Sequence, residues 1–344
     1  MNDRILSLPK VDLHVHLDGS VLPDTVIDLA EKSGIALPAS DADALLPYMK
    51  VEGECLSLSD YLSKFQFVGQ FLHTPYSLER VAYELVQQAA EQNCRYIEVR
   101  FAPQLHRQQG LSVEEVIHHA VLGLQRGEAE FGIVARCIAI CLRGHSEELN
   151  RETVEAAASF LGRGVVAVDL AGSEAAYPAD LYQSVFELAR ERGIPITIHA
   201  GEAAGAESVR SAVQKLGASR IGHGVRMKED PELVELILQK RIPLELCPVS
   251  NLQTKASESW AMYPLREYFE LGVVVTVNTD NLTVSGTTIS EEYRILQEEL
   301  HFTEKELVQI VKNGVEAAFL QGEDRLRLQS DMELQLSRWL NSGR

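Results

Sequence analysis

The chain has 344 residues, with 32 Lys plus Arg against 50 Asp plus Glu and a formal charge of −18 at pH 7. Hydrophobic residues make up 45% and charged residues 24%, an ordinary balance for a packed globular protein. The acidic surplus argues against a nucleic-acid partner, which needs clustered Lys and Arg, and no run of about 20 apolar residues could cross a membrane. The first residues, Met1 to Leu6 followed by Pro9, lack a signal-peptide core, so a cytoplasmic protein is expected.

Short apolar runs alternate with amphipathic segments along most of the chain. In order, residues 11–17, 96–101, 133–142, 165–170, 194–198, 220–225, 242–247 and 273–277 predict strands. Residues 78–92, 113–131, 182–192, 206–216 and 231–240 predict helices between them. About eight such repeats predict an α/β fold of the (β/α)8 TIM-barrel type, with 1–344 as a single domain. Two segments depart from the repeat. Residues 36–75 are too long for a simple connection and read as a helical insertion, with Leu58, Tyr61, Leu62 and Phe65 at helical spacing. Residues 303–342 read as extra terminal helices, opened by a capping box of Thr303 with Glu306.

Five cysteines, at positions 55, 94, 137, 141 and 247, include no C-x-x-C pair, and Cys137 and Cys141, within the apolar run 132–142, read as small buried hydrophobes. The 162–167 stretch imitates a dinucleotide fingerprint but precedes a strand, where no phosphate could use it.

The polar residues at the strand ends are harder to explain as packing. Barrels carry their chemistry at the carboxyl ends of the strands. The first predicted strand holds His14 and His16, and the fourth ends in Asp169-Leu-Ala-Gly172. The fifth ends in His199-Ala-Gly-Glu202, the sixth in Gly222-His223-Gly224, and the eighth in Asn278-Thr-Asp280-Asn281. Two residues apart in a strand, His14 and His16 share a face, while Val11, Leu13, Val15 and Leu17 take the other and meet the helices. Each polar residue has a plain reading. His199 could be a satisfied core histidine, His223 the mark of a tight turn, Asp280 a cap, and Glu202 a solvated first-turn carboxylate. Together at one rim they point instead to a borderline divalent metal such as zinc. The absence of lysine from 165–172, where a bridging modified lysine would sit, favours one metal over two.

The ordered set Pro9 to Gly19, Asp169 to Gly172, His199 to Glu202, Gly222 to Gly224, Cys247-Pro-Val-Ser-Asn251 and Asn278 to Asp280 resembles the adenosine deaminase family. This family belongs to the metal-dependent amidohydrolase superfamily. The resemblance implies one Zn2+ held by His14, His16, His199 and Asp280. It implies hydrolytic deamination of adenosine and 2′-deoxyadenosine to inosine products and ammonia, a step of purine nucleoside metabolism. Glu202 would protonate N1, His223 would orient the attacking water, and Asp280 could relay its proton. Asp18 would accept the ribose 5′-hydroxyl and the Gly172 N–H would donate to N3, with His16 also against the substrate. Leu58, Tyr61, Leu62 and Phe65 would form a lid over the sugar, unless that helix buries its apolar face in a core of its own. Many relatives carry a second Asp after the ligand Asp; here Asn281 would offer its NH2 to N7. The partner implied is a small purine nucleoside. The alternatives are adenine or a modified adenosine as substrate, a metal-dependent phosphoesterase, or an inactive nucleoside-binding protein.

Overall fold

The structure is a computed structural model and describes residues 4–51 and 58–342, with the side chains of residues 58–60 and 62 outside the described set. Eight strands alternate with helices: β1 Lys10–His16, β2 Cys94–Phe101, β3 Val134–Leu142, β4 Val165–Ala171, β5 Thr197–Ala200, β6 Arg220–His223, β7 Leu244–Leu246 and β8 Val275–Val277. All pair in parallel and in chain order, β1 to β4 in one sheet and β5 to β8 in a second. Each apolar run contains a strand, but β5 and β7 start later than their runs. Pro195 and Pro243 have no N–H to give a ladder, so burial begins before pairing does.

Two seams separate the sheets, and each carries a single parallel bridge, Val168↔Ile196 and Val15↔Asp280. At the second, the His16 N–H donates to Asp280 O at 2.7 Å and the Asp280 N–H to His14 O at 2.8 Å. Side chains complete that seam. Asn278 Oδ1 accepts from the Leu13 N–H at 2.9 Å, and Thr279 Oγ1 donates to Asp12 Oδ2 at 2.6 Å. The seam therefore forms at the polar residues beyond β8, and this brings Asp280 beside both histidines of β1.

Val11, Leu13, Val15 and Leu17 are buried in the main apolar cluster, as the alternation of β1 requires. The inward parity carries charge instead of aliphatics. Glu98, Arg100, Asp169, Arg220 and Glu245 are all fully buried. Arg220 pairs with both Glu98 and Glu245, Tyr96 Oη donates to Glu98 Oε1 at 2.7 Å, and Thr197 Oγ1 donates to Glu245 Oε1 at 2.9 Å. A buried ion network survives only when every member is hydrogen-bonded, which these contacts provide.

Helices Val113–Phe131 and Pro231–Lys240 occupy their predicted spans, opened by a Ser112–Glu115 capping box and by Asp230 respectively. The 206–216 segment divides into Ala206–Ser211 and one π turn, Ala212–Leu216, ending at left-handed Gly217. In the insertion after β1 lie Ala42–Met49 and Leu58–Gly69, and the capping box of Thr303 with Glu306 opens Glu304–Ala317 ahead of Gly322–Ser342. Among the described residues, no helix is long and apolar enough to cross a membrane.

Candidate active site

The carboxyl ends of the strands surround a cavity of about 550 Å3, lined among others by His16, Asp18, Phe65, Gly172, Glu202 and Asn281. At its floor His14, His199, His223 and Asp280 each bring one nitrogen or oxygen to within 4.8 Å of the others. His16 joins them: its Nε2 lies 3.3 Å from His199 Nε2 and 3.3 Å from Asp280 Oδ1. Two of these residues hold unusual backbone conformations, with φ of 64° at His223 and 61° at Asp280. Left-handed backbone at a non-glycine residue costs roughly 1–3 kcal/mol and persists only where neighbouring bonds impose it. At Asp280 the seam bonds to His14 and His16 do so.

The outer nitrogens of the imidazoles separate the histidines into two kinds. His14 Nδ1 lies 2.8 Å from Glu245 Oε2, and His199 Nδ1 lies 2.9 Å from Asp169 Oδ2. A carboxylate only accepts, so each Nδ1 carries the proton and each Nε2 turns a lone pair into the cluster. His14 Nε2 is buried with no hydrogen-bond partner. His223 is the reverse. Asn251 Oδ1 accepts from Tyr263 Oη at 2.9 Å and from the Cys247 N–H at 3.2 Å, which turns its NH2 to His223 Nδ1 at 2.9 Å. His223 Nδ1 is then an acceptor, and its proton sits on Nε2, facing the cavity. An orphaned buried lone pair, a second one beside it and a carboxylate form a donor set suited to a divalent ion of the zinc type. Asp280 Oδ2 is oriented by Ser250 Oγ.

The buried charges act differently on each of these groups. Burial, with Arg100 and His199 adding to it, pushes His14 down to about 4, and burial holds His16 well below its ordinary value. Both imidazoles are therefore neutral near pH 7. Burial also acts on His199, but the Asp169 carboxylate outweighs it and raises the value. Burial would raise Asp280, yet the His14, His16 and His223 imidazoles around it keep it ionised. Glu202 goes the other way: burial raises its carboxyl against the opposing influence of His223, whose Nε2 is 3.6 Å from Glu202 Oε2. Asp18 is pushed up to about 6 by burial, and its Oδ1 is buried without a partner.

The structure adds detail on the expected substrate side. Gly172 has φ of 105°, a backbone conformation that L side chains rarely adopt. Asn281 Nδ2, expected to be free for a ligand, donates to Tyr61 Oη at 2.7 Å, and Oδ1 is the buried atom without a partner. Tyr61 is more than an apolar lid residue, since its hydroxyl also meets Ser285 Oγ at 2.8 Å. With Val51 and Val284 it forms a small cluster, separate from the main core, against which Phe65 packs 6.2 Å from the His16 ring. The side chains of Leu58 and Leu62 lie outside the described residues.

Sequence reasoning missed Glu245, Arg100, Asn251 as a partner of His223, and Glu174. Arg100 Nη1 donates to Asp169 Oδ2 at 2.9 Å and Nη2 to Glu245 Oε2 at 2.8 Å, so one guanidinium holds both carboxylates behind the histidines. The available signal was a charge at inward parity in an apolar strand, as at Arg100 and Glu245.

A family model described as adenosine deaminase matches residues 9–334. An adenosine deaminase of Clostridium botulinum (strain 657 / Type Ba4) is 42% identical over 326 residues, covering 95% of this chain and 98% of that protein. One of Haemophilus ducreyi is 44% identical over 323 residues, covering 92% and 94%. Among solved structures, an adenine deaminase of Arthrobacter aurescens superposes with a TM-score of 0.88 at 26% identity, covering 97% of this chain and 99% of that one. A zinc-bound amidohydrolase of Burkholderia ambifaria gives 0.88 at 25% identity, covering 98% and 93%.

Proposed function

The chain belongs to the adenosine deaminase family, and from that premise we propose that it hydrolyses adenosine and 2′-deoxyadenosine to the inosine products and ammonia, using one zinc ion, as a single barrel domain. The observation that carries the site assignment is the sorting of tautomers. His14 and His199 point lone pairs, and Asp280 a carboxylate oxygen, at the point where His16 Nε2 also arrives, so these four are the proposed ligands. When bound, such an ion supplies the Lewis acidity that makes water nucleophilic near neutral pH.

The remaining steps belong to the protein. His223 Nε2–H donates to the oxygen that adds at purine C6 and holds it in line. Glu202, its carboxyl raised by burial, gives its proton to N1, which breaks the ring's aromaticity and opens C6 to attack. Water adds to C6, the amino group leaves as ammonia, and the adduct's hydroxyl proton passes to the Glu202 carboxylate as the 6-oxo purine forms. Asp280, ionised and adjacent, receives the proton of the attacking water and passes it to the leaving nitrogen. The Asp18 carboxylate accepts the ribose 5′-hydroxyl, and the Gly172 N–H donates to N3. Tyr61 and Phe65 exclude water above the sugar. Asn281 serves N7 after a half-turn of its amide, with Tyr61 Oη donating to Oδ1 and the NH2 released to the ligand.

Ultraviolet absorbance of zinc-loaded protein should show adenosine converted to inosine, slowly abolished by a chelator. Turnover of adenine in place of adenosine would reassign the substrate, and silence with both would reject deamination of either. His16→Ala is expected to lose bound zinc and activity together, read by metal content alongside turnover; activity persisting without metal would reject the ligand set.

A further inference from the structure

Glu174 follows β4 and lines no part of the cavity described above, yet its side chain is only 3% exposed. Its carboxylate accepts four backbone hydrogen bonds from four consecutive residues. The Gly201 N–H donates to Oε1 at 2.6 Å, and the N–H groups of Glu202, Ala203 and Ala204 donate to Oε2 at 3.1, 2.7 and 2.9 Å. Successive amides converging on one anion form a nest, and bonds to an ionised acceptor are about twice as strong as neutral ones. Left-handed Gly201, at φ 73°, gives the turn the shape that aims these amides inward. Among the described residues no salt bridge within 4 Å is formed by Glu174, and the Arg143 guanidinium is a more distant counter-charge.

The turn joins β5 to helix Ala206–Ser211 and carries Glu202. The Glu202 carboxyl makes no side-chain hydrogen bond among the described residues; its nearest ionic neighbour is His223 Nε2, at 3.6 Å. Its position is thus set by its own backbone, and its backbone is set by Glu174. Arg143 braces the same region, with Nη2 donating to His199 O at 2.8 Å and Nη1 to Tyr177 O at 2.6 Å.

We propose that Glu174 is a positioning residue for the deamination: by holding the Gly201–Ala204 amides it places the Glu202 carboxyl at purine N1 without touching substrate. This rests on the reading of Glu202 as proton donor. Glu174→Gln keeps shape and one acceptor oxygen but sets an NH2 against backbone donors, so the turn must shift. A shift on the order of 1 Å at a reacting group costs about 10²-fold. The expected result is a kcat loss of that order, with KM within about twofold, zinc content unchanged, and faster hydrogen exchange confined to the amides of residues 201–204. Glu174→Asp should lie between the two.

The double variant Glu174→Gln with Glu202→Gln isolates the route. If Glu174 acts through Glu202, the double variant turns over no more slowly than Glu202→Gln alone. Multiplicative losses would overturn the proposal, as would a loss confined to KM or to zinc content, or unchanged exchange at 201–204. Near-normal turnover of Glu202→Gln by itself would instead reject the proton-donor reading, while the exchange data would still report what holds the turn.

Discussion

Glu202→Gln is expected to lower kcat by about 10²- to 10⁴-fold, the range for losing a positioned general acid, while zinc content and fold stay as in the parent. Gln keeps the volume and polarity of the side chain but has no proton to deliver to N1. The sign of the pH effect follows from the direction of the shift. Burial raises the Glu202 carboxyl, so the protonated working form extends toward neutral pH, and kcat falls as pH rises through that raised value. The Gln variant cannot titrate and should lack this limb. Steady-state kinetics over pH, with metal analysis on the same samples, checks both statements. A variant with near-normal kcat, or one that keeps the alkaline limb, would assign the proton to another group.

Arg100→Met should be the most damaging change away from the cavity. The guanidinium donates to Asp169, Glu245 and the Leu13 carbonyl, and all three side chains are fully buried. Removing one partner of a buried ion pair leaves uncompensated charge and costs about 3–5 kcal/mol. Here it strips a counter-charge from two carboxylates, although Arg220 still faces Glu245. The second consequence concerns the metal. Asp169 and Glu245 fix the Nδ1 protons of His199 and His14, and loss of such outer partners typically weakens metal binding 10- to 100-fold. Denaturant unfolding should report the stability loss, and zinc competition against a chelator should report weaker binding. Unchanged zinc affinity in a folded variant would show that the carboxylates hold the imidazoles without Arg100.

Much of this protein is legible in its sequence. The alternation in β1 separates Val11, Leu13, Val15 and Leu17 from His14 and His16, because a strand has only two faces. The strand ends then collect His199, Glu202, His223 and Asp280, since parallel strands all present their carboxyl ends to one rim. The capping box at Thr303 was legible because it is local, spanning three residues. Residues acting across the barrel were not. Glu245 meets His14 across 231 positions of sequence and Arg100 across 145, and no local pattern encodes such pairings.

The motif Asn278-Thr279-Asp280-Asn281 shows where each kind of inference stops. Its place after the last apolar run follows from sequence order, and the ligand role proposed for Asp280 comes from the motif's resemblance to the family. Only the folded chain decides that Asn278 and Thr279 close the seam to β1, or that Asn281 is engaged by Tyr61. The same holds for His223, which sequence composition cannot tell from a ligand. Only the folded chain shows that Asn251 stands at one imidazole nitrogen of His223, where His14 and His199 have carboxylates. Sequence determines which groups exist and which strand end bears them; the proton each one carries depends on the partner that folding puts beside it.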